Sequence, residues 1–258
     1  MKHILMILLA VFISAPGYAK VVSQPVDYTH DGKDLEGYLA YDDTVKGERP
    51  GVLVVHEWWG LNDYVRSRVD RLAELGYVAF ALDMYGKDIW TADPAKAKEL
   101  SDHLREQPIM RRRAHAGLDI LRKNDLIDPG RIAAIGYCFG GTTVLELAYS
   151  GAELAGVVSF HGGLTAPKPE EYNQIQARIL VCHGADDAFI SPEAIQTFQN
   201  AMRESGKDLQ MVYYGGAVHS FTNPAADKAG IKGIAYDKKA DERSWKYMQL
   251  FFEEIFSK

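Results

Sequence analysis

Cysteine is almost absent from this chain, with two in 258 residues, Cys138 and Cys182. So small a number excludes a fold held together by a disulfide framework. Long apolar runs are also missing. The longest, Ile4 to Ile13, falls well short of the roughly 20 residues that span a bilayer. Positive charge is not in excess, since 29 Lys and Arg face 35 Asp and Glu for a net charge of -6. That balance gives no electrostatic reason to bind nucleic acid. The one basic cluster, Arg111, Arg112 and Arg113, sits in a helical pattern and reads as a solvated helix face. Internal repeats and low-complexity segments are absent as well.

What is present is the composition of an ordinary globular protein. A hydrophobic fraction of 47% against 25% charged supports a packed core and argues against disorder. The length suits one large α/β domain. The first residues carry a different signal. Lys2 precedes the apolar run, and Gly17, Tyr18 and Ala19 place small residues where a signal peptidase reads. A signal peptide over residues 1–19, cleaved after Ala19, is therefore expected. The mature chain, residues 20–258, is expected to be a single periplasmic or secreted domain with no stable membrane insertion.

Apolar, β-branched runs alternate with helical patterns, as in a mostly parallel sheet covered on both faces. Strands are predicted over residues 21–28, 35–41, 51–56, 77–82, 131–136, 155–160, 178–183 and 209–214. Asp31 and Gly32 join the first two as a hairpin, so the sheet should begin antiparallel. Val65, Val69, Leu72 and Leu75 mark a helix stopped by Gly76. Further helices are expected from Pro94, over residues 111–122 and 142–149, and over residues 240–256. Residues 222–239 read as an irregular loop or a lid.

The chemistry centres on Gly136, Tyr137, Cys138, Phe139 and Gly140, between a predicted strand and a predicted helix. This is a cysteine version of the nucleophile elbow, a strained turn that exposes its middle residue. A helix N-terminus there favours negative charge. In folds with this elbow the acid and then the histidine follow in chain order. Asp186 and Asp187 follow one strand, and His219 follows the next. Both fall beyond carboxyl ends of strands, where open α/β sheets place their sites. The segment His56, Glu57, Trp58, Trp59, Gly60 begins like a zinc motif, but Gly60 stands where the second histidine belongs. As a loop after a strand it would instead offer the backbone N–H of Trp58 to an oxyanion, with the N–H of Phe139 as the second donor.

These segments, with Ala81 to Tyr85, Gly184 to Phe189 and His219 to Phe221, resemble the dienelactone hydrolase family over nearly all of the mature chain. The resemblance implies an α/β-hydrolase fold: an eight-stranded, mostly parallel sheet with an antiparallel N-terminal hairpin and helices on both faces. It implies a triad of Cys138, Asp187 and His219, and a contact between Glu57 and the resting thiol. It also implies hydrolysis of a small-molecule ester or lactone through a thioester, without metal or organic cofactor. The chain departs from the best-known members where Thr222, Asn223 and Pro224 follow His219 to Phe221. An arginine near that point holds the substrate carboxylate in those members, so the resemblance gives a reaction class and not dienelactone itself. Lys87 and Trp90, in the loop after Asp83, read first as surface-loop residues and second as pocket lining.

The fold's strand order places one strand between those that carry the cysteines. Two spacings of about 4.8 Å exceed the reach of a disulfide, so Cys182 is expected in the core and Cys138 free. Two rival readings compete with the esterase. One is a metal-dependent hydrolase drawing on His56, Glu57, Cys138, His161 and His219. The other is a non-enzymatic ligand binder or thiol sensor on a hydrolase scaffold.

Overall fold

The computed structural model describes residues 20–105 and 108–257, so the expected signal peptide lies outside the described residues. Eight strands form one sheet in the order β1-β2-β4-β3-β5-β6-β7-β8. They are β1 (Val21–His30), β2 (Lys33–Asp42), β3 (Arg49–Val55), β4 (Val78–Leu82), β5 (Ile127–Tyr137), β6 (Gly156–Phe160), β7 (Arg178–Gly184) and β8 (Leu209–Tyr214). The β1-β2 hairpin and the β2-β4 pair are antiparallel, and every other pair is parallel. Asp31 (φ 51°) and Gly32 (φ 69°) both take left-handed conformations at the hairpin turn, which matches the right-handed twist of its strands. This is the α/β-hydrolase architecture expected from the sequence.

The central strands β3, β4 and β6 are apolar on both faces because both faces are covered. On one face, Val52, Val54, Ala79, Ala81, Val158 and Leu180 pack against α1 (Asp63–Glu74) and α6 (Lys238–Phe256). On the other, Leu53, Val55, Phe80, Val157 and Ile179 meet α2 (Pro94–Arg105), α3 (Ile109–Arg122), α4 (Phe139–Tyr149) and α5 (Pro192–Ser205). Helix α1 follows its expected pattern: Asn62 caps its first turn, and Gly76 (φ 90°) donates to the Ala73 carbonyl as the chain turns away.

Two expectations need correction. The arginine triple is not a solvated face. Arg113 is buried and donates to His30 Nδ1 and the Met84 carbonyl, while Arg111 bridges Glu146 and Glu171 at 2.7 and 2.6 Å. Arg112 alone of the three is exposed. Three consecutive helical residues sweep about 200° around the axis, so a run of that length turns at least one side chain inward. Helix α5 had no counterpart in the sequence reading, although its signals are there. Ser191 caps the Ala194 N–H, Pro192 occupies the first turn and Gly206 closes the helix at φ 68°.

Candidate active site

The site lies at the carboxyl edge of the sheet, where β5 ends in Tyr137 and α4 begins at Phe139. Cys138, between them, has φ 52° and ψ -113°. Three of the five non-glycine residues with positive φ among the described residues, Cys138, His161 and Ser220, sit here. Such backbone states cost about 1–3 kcal/mol each and persist only where the surroundings enforce them. The enforcement is visible at the elbow. A Cβ on Gly136 would stand 2.0 Å from the Gly140 carbonyl oxygen, and one on Gly140 would stand 2.2 Å from that of Val55. No side chain fits either contact, so strand and helix approach only through glycine. The Cys138 N–H is held by the Phe160 carbonyl at 3.0 Å and by His161 Nδ1 at 3.1 Å.

The loop after β8 brings His219 to the elbow. Its Nδ1 lies 2.8 Å from Asp187 Oδ2, and the imidazole also hydrogen-bonds Cys138. Asp187 is buried, and its other oxygen accepts the Phe189 N–H at 3.0 Å. Asp186 is exposed, so of the carboxylate pair Asp187 meets the histidine. Burial opposes a charge on His219, but Cys138 and Asp187 outweigh it and push the imidazole up to about 10.

His161, the residue after β6, shows the opposite balance. It is fully buried, and burial first, then the charges of His219 and Arg68, drive its pKa well below the usual value. Its Nδ1 accepts the Cys138 N–H, so Nε2 carries the hydrogen donated to Thr222 Oγ1 at 2.7 Å. Thr222 Oγ1 in turn lies 2.6 Å from the Tyr64 hydroxyl.

The Glu57 carboxylate is buried and engaged by two side chains of the loop after His219. Ser220 Oγ donates to its Oε1 at 2.9 Å and Asn223 Nδ2 to its Oε2 at 2.6 Å, while Cys138 is bonded to His219. Burial raises the Glu57 carboxyl above its ordinary value, against those two donors and the His219 charge. These bonds fix Ser220, which holds φ 58° immediately after His219. His56 is turned into the core, where Nδ1 donates to the Glu57 carbonyl at 2.5 Å and Nε2 accepts the Met84 N–H at 3.2 Å. Among the described residues, no group of three or more His, Cys, Asp or Glu is arranged to hold a metal.

Cys138 and His219 open on a cavity of 240 Å³ with Trp58, Phe139, Arg105 and Ile234 among its walls. Among the described residues, neither the Trp58 nor the Phe139 backbone N–H donates a hydrogen bond. Both residues line the cavity. The Tyr85 hydroxyl donates to the Trp58 carbonyl at 2.8 Å and so fixes that loop. Arg105 escaped the sequence reading because it ends a helix far from every motif; its guanidinium stands 5.6 Å from the Phe139 ring centroid. Cys182 is fully buried, burial pushes its thiol up to about 12, and both cysteines are free. Strand β6 separates the strands that carry them, as expected.

The model of the dienelactone hydrolase family matches residues 35–256. A protein of Aquifex pyrophilus named Protein usf is 28% identical over 92% of this chain and 100% of its own length. A relative from Aquifex aeolicus, provisionally named a carboxymethylenebutenolidase, is 26% identical over 90% of this chain and 98% of its own. Among solved structures, a dienelactone hydrolase-like promiscuous phosphotriesterase from metagenomic libraries superposes with a TM-score of 0.89. It is 42% identical and covers 92% of this chain and 99% of its own.

Proposed function

Because the chain belongs to the dienelactone hydrolase family and is a hydrolase acting on ester or lactone bonds, we propose that it works through Cys138, His219 and Asp187. The observation that carries this reading is the alignment of Asp187, His219 and Cys138 beneath a cavity with two unused N–H donors. Cys138 gives its thiol proton to His219, Sγ attacks the carbonyl carbon, and the amides of Trp58 and Phe139 receive the developing oxyanion. The C–O bond to the alcohol then breaks as His219 protonates the leaving oxygen. Water next gives a proton to His219 and attacks the thioester, and the C–S bond breaks to return the thiol. Asp187 holds the imidazole through Nδ1 and stabilises its positive charge. Glu57 acts on this machinery by clamping Ser220 and Asn223, which fixes the backbone that carries His219.

Arg105 at the cavity wall suits substrates with an anionic group near the scissile bond. The 42% identical relative is named a promiscuous phosphotriesterase, and phosphotriesters are side substrates on this reading, with the same amides facing a phosphoryl oxygen. Export by the signal peptide is part of the proposal, and the mature protein recovered from an exporting host would begin at Lys20. The decisive experiment is turnover of small activated esters by wild type and Cys138→Ala. The variant is expected to lose turnover; retained activity would remove the mechanism.

A further inference from the structure

A second cavity, of 220 Å³, adjoins the first, lined by Trp59, Trp90, Thr91, Ser220, Asn223 and Ile234 with others. Neighbouring residues of the chain serve the two spaces alternately. Trp58 and His219 line the first, Trp59 and Ser220 the second, and Ile234 lines both. Trp58 and Trp59 are packed edge to face at 4.8 Å, and Ile234 is bridged to His219 along the backbone. Ile234 is the lining residue that the two cavities share.

The second cavity is built on a fixed wall. Trp90 is bridged to Gly60, and the Thr91 N–H donates to the Trp59 carbonyl at 2.9 Å, so the segment after β4 is tied to the loop after β3. Despite that anchoring, Trp90 is 59% exposed. A tryptophan whose backbone is anchored and whose surface is left uncovered suits a contact that the free protein does not make. Each cavity is smaller than the roughly 300 Å³ at which pockets for drug-sized ligands begin. A ligand that crosses Ile234 would use both.

Chemistry decides which part of the substrate crosses. His219 must protonate the leaving oxygen, so the alcohol lies on its flank, and the residues on that flank are Ser220 and Ile234. On that reading the carbonyl oxygen faces the amides of Trp58 and Phe139, and the acyl group is left the first cavity. We infer that the cavity between Trp59 and Trp90 is the subsite for the alcohol moiety of the ester and takes a flat, aromatic alcohol. This rests on the proposed esterase reading and adds the identity of the leaving group. Lys87, by contrast, is engaged by Asp27 and Glu36 and takes no part.

The test uses three esters and the wild type beside Trp90→Ala and Trp90→Phe: ethyl acetate, 2-naphthylmethyl acetate and ethyl 2-naphthylacetate. Trp90→Ala is expected to lower kcat/KM for 2-naphthylmethyl acetate about tenfold relative to ethyl acetate, mainly through KM. Trp90→Phe should restore most of that loss, and the reversed ester, with its ring on the acyl side, should follow ethyl acetate. Equal loss for both naphthyl esters, or for neither, overturns the assignment while Cys138-dependent hydrolysis of ethyl acetate leaves the esterase reading standing. Binding of 2-naphthalenemethanol, followed by tryptophan fluorescence, tests the subsite without turnover. Saturable quenching that weakens in Trp90→Ala supports it, and no saturable quenching in the wild type overturns it.

Discussion

The loops after β6 and β8 each deliver one histidine to the same edge of the sheet, with ring centroids 5.4 Å apart, and the two rings are driven in opposite directions. Both are buried, so burial disfavours the charged form of each. The difference comes from the groups they face. His219 meets a carboxylate and a thiol, and holds its proton up to about 10. His161 meets a backbone N–H, a hydroxyl and the charges of His219 and Arg68, and stays neutral. Partners, more than position in the fold, therefore decide which imidazole moves protons and which serves as a fixed acceptor.

The largest test removes what distinguishes His219. Asp187→Asn leaves a hydrogen-bonding group of the same shape but no charge, and can favour the wrong imidazole tautomer. It should lower kcat by about 10³- to 10⁴-fold, measured with a small activated ester. A loss below tenfold would mean that Asp187 does not set the state of His219.

A smaller effect is expected at the fixed acceptor. His161→Val leaves the Thr222 hydroxyl without its donor and should destabilise the protein by about 1–3 kcal/mol in denaturant melts. His161→Gln, which keeps one acceptor and one donor, should recover part of that stability. Equal stability of wild type and His161→Val would show that the bonds to Cys138 and Thr222 hold nothing.

The smallest effects are in pH dependence, and the two residues should pull in opposite senses. The raised pKa of His219 gives stability that is full below its ordinary 6.5 and is lost as pH rises toward about 10. The lowered pKa of His161 makes the unfolded state the better proton acceptor, so its contribution falls away as pH drops below 6.5. Stability differences between wild type and His219→Gln should shrink toward high pH, and those between wild type and His161→Gln toward low pH. Parallel curves for both variants would erase the contrast.

Much of this arrangement was legible in the residues. The hairpin, the parallel strands and the elbow announce themselves through short-range rules: a turn pair, continuous apolar runs, glycines at a strand-to-helix corner. The Asp187–His219 pairing could be reduced to two carboxylates, with burial separating them. What sequence reading missed depends on which side chains meet across long separations. Arg105 belongs to no motif, and its surroundings are set by how α2 lies against other loops. His161 follows a buried strand like an ordinary core histidine, and only its approach to the Cys138 N–H gives it a role. Glu57 was visible, but its partners Ser220 and Asn223 lie 163 and 166 residues away. The arginine triple misled because composition cannot say which way a helix is rotated.

The contrast between the two thiols has a practical side. Cys182 is sealed in the sheet with the Tyr214 hydroxyl 3.6 Å from its sulfur, whereas Cys138 is reachable from solvent. A maleimide reagent should therefore consume one equivalent from the intact molecule at once and a second only as each molecule opens. The rate of that second uptake would act as a clock for spontaneous unfolding.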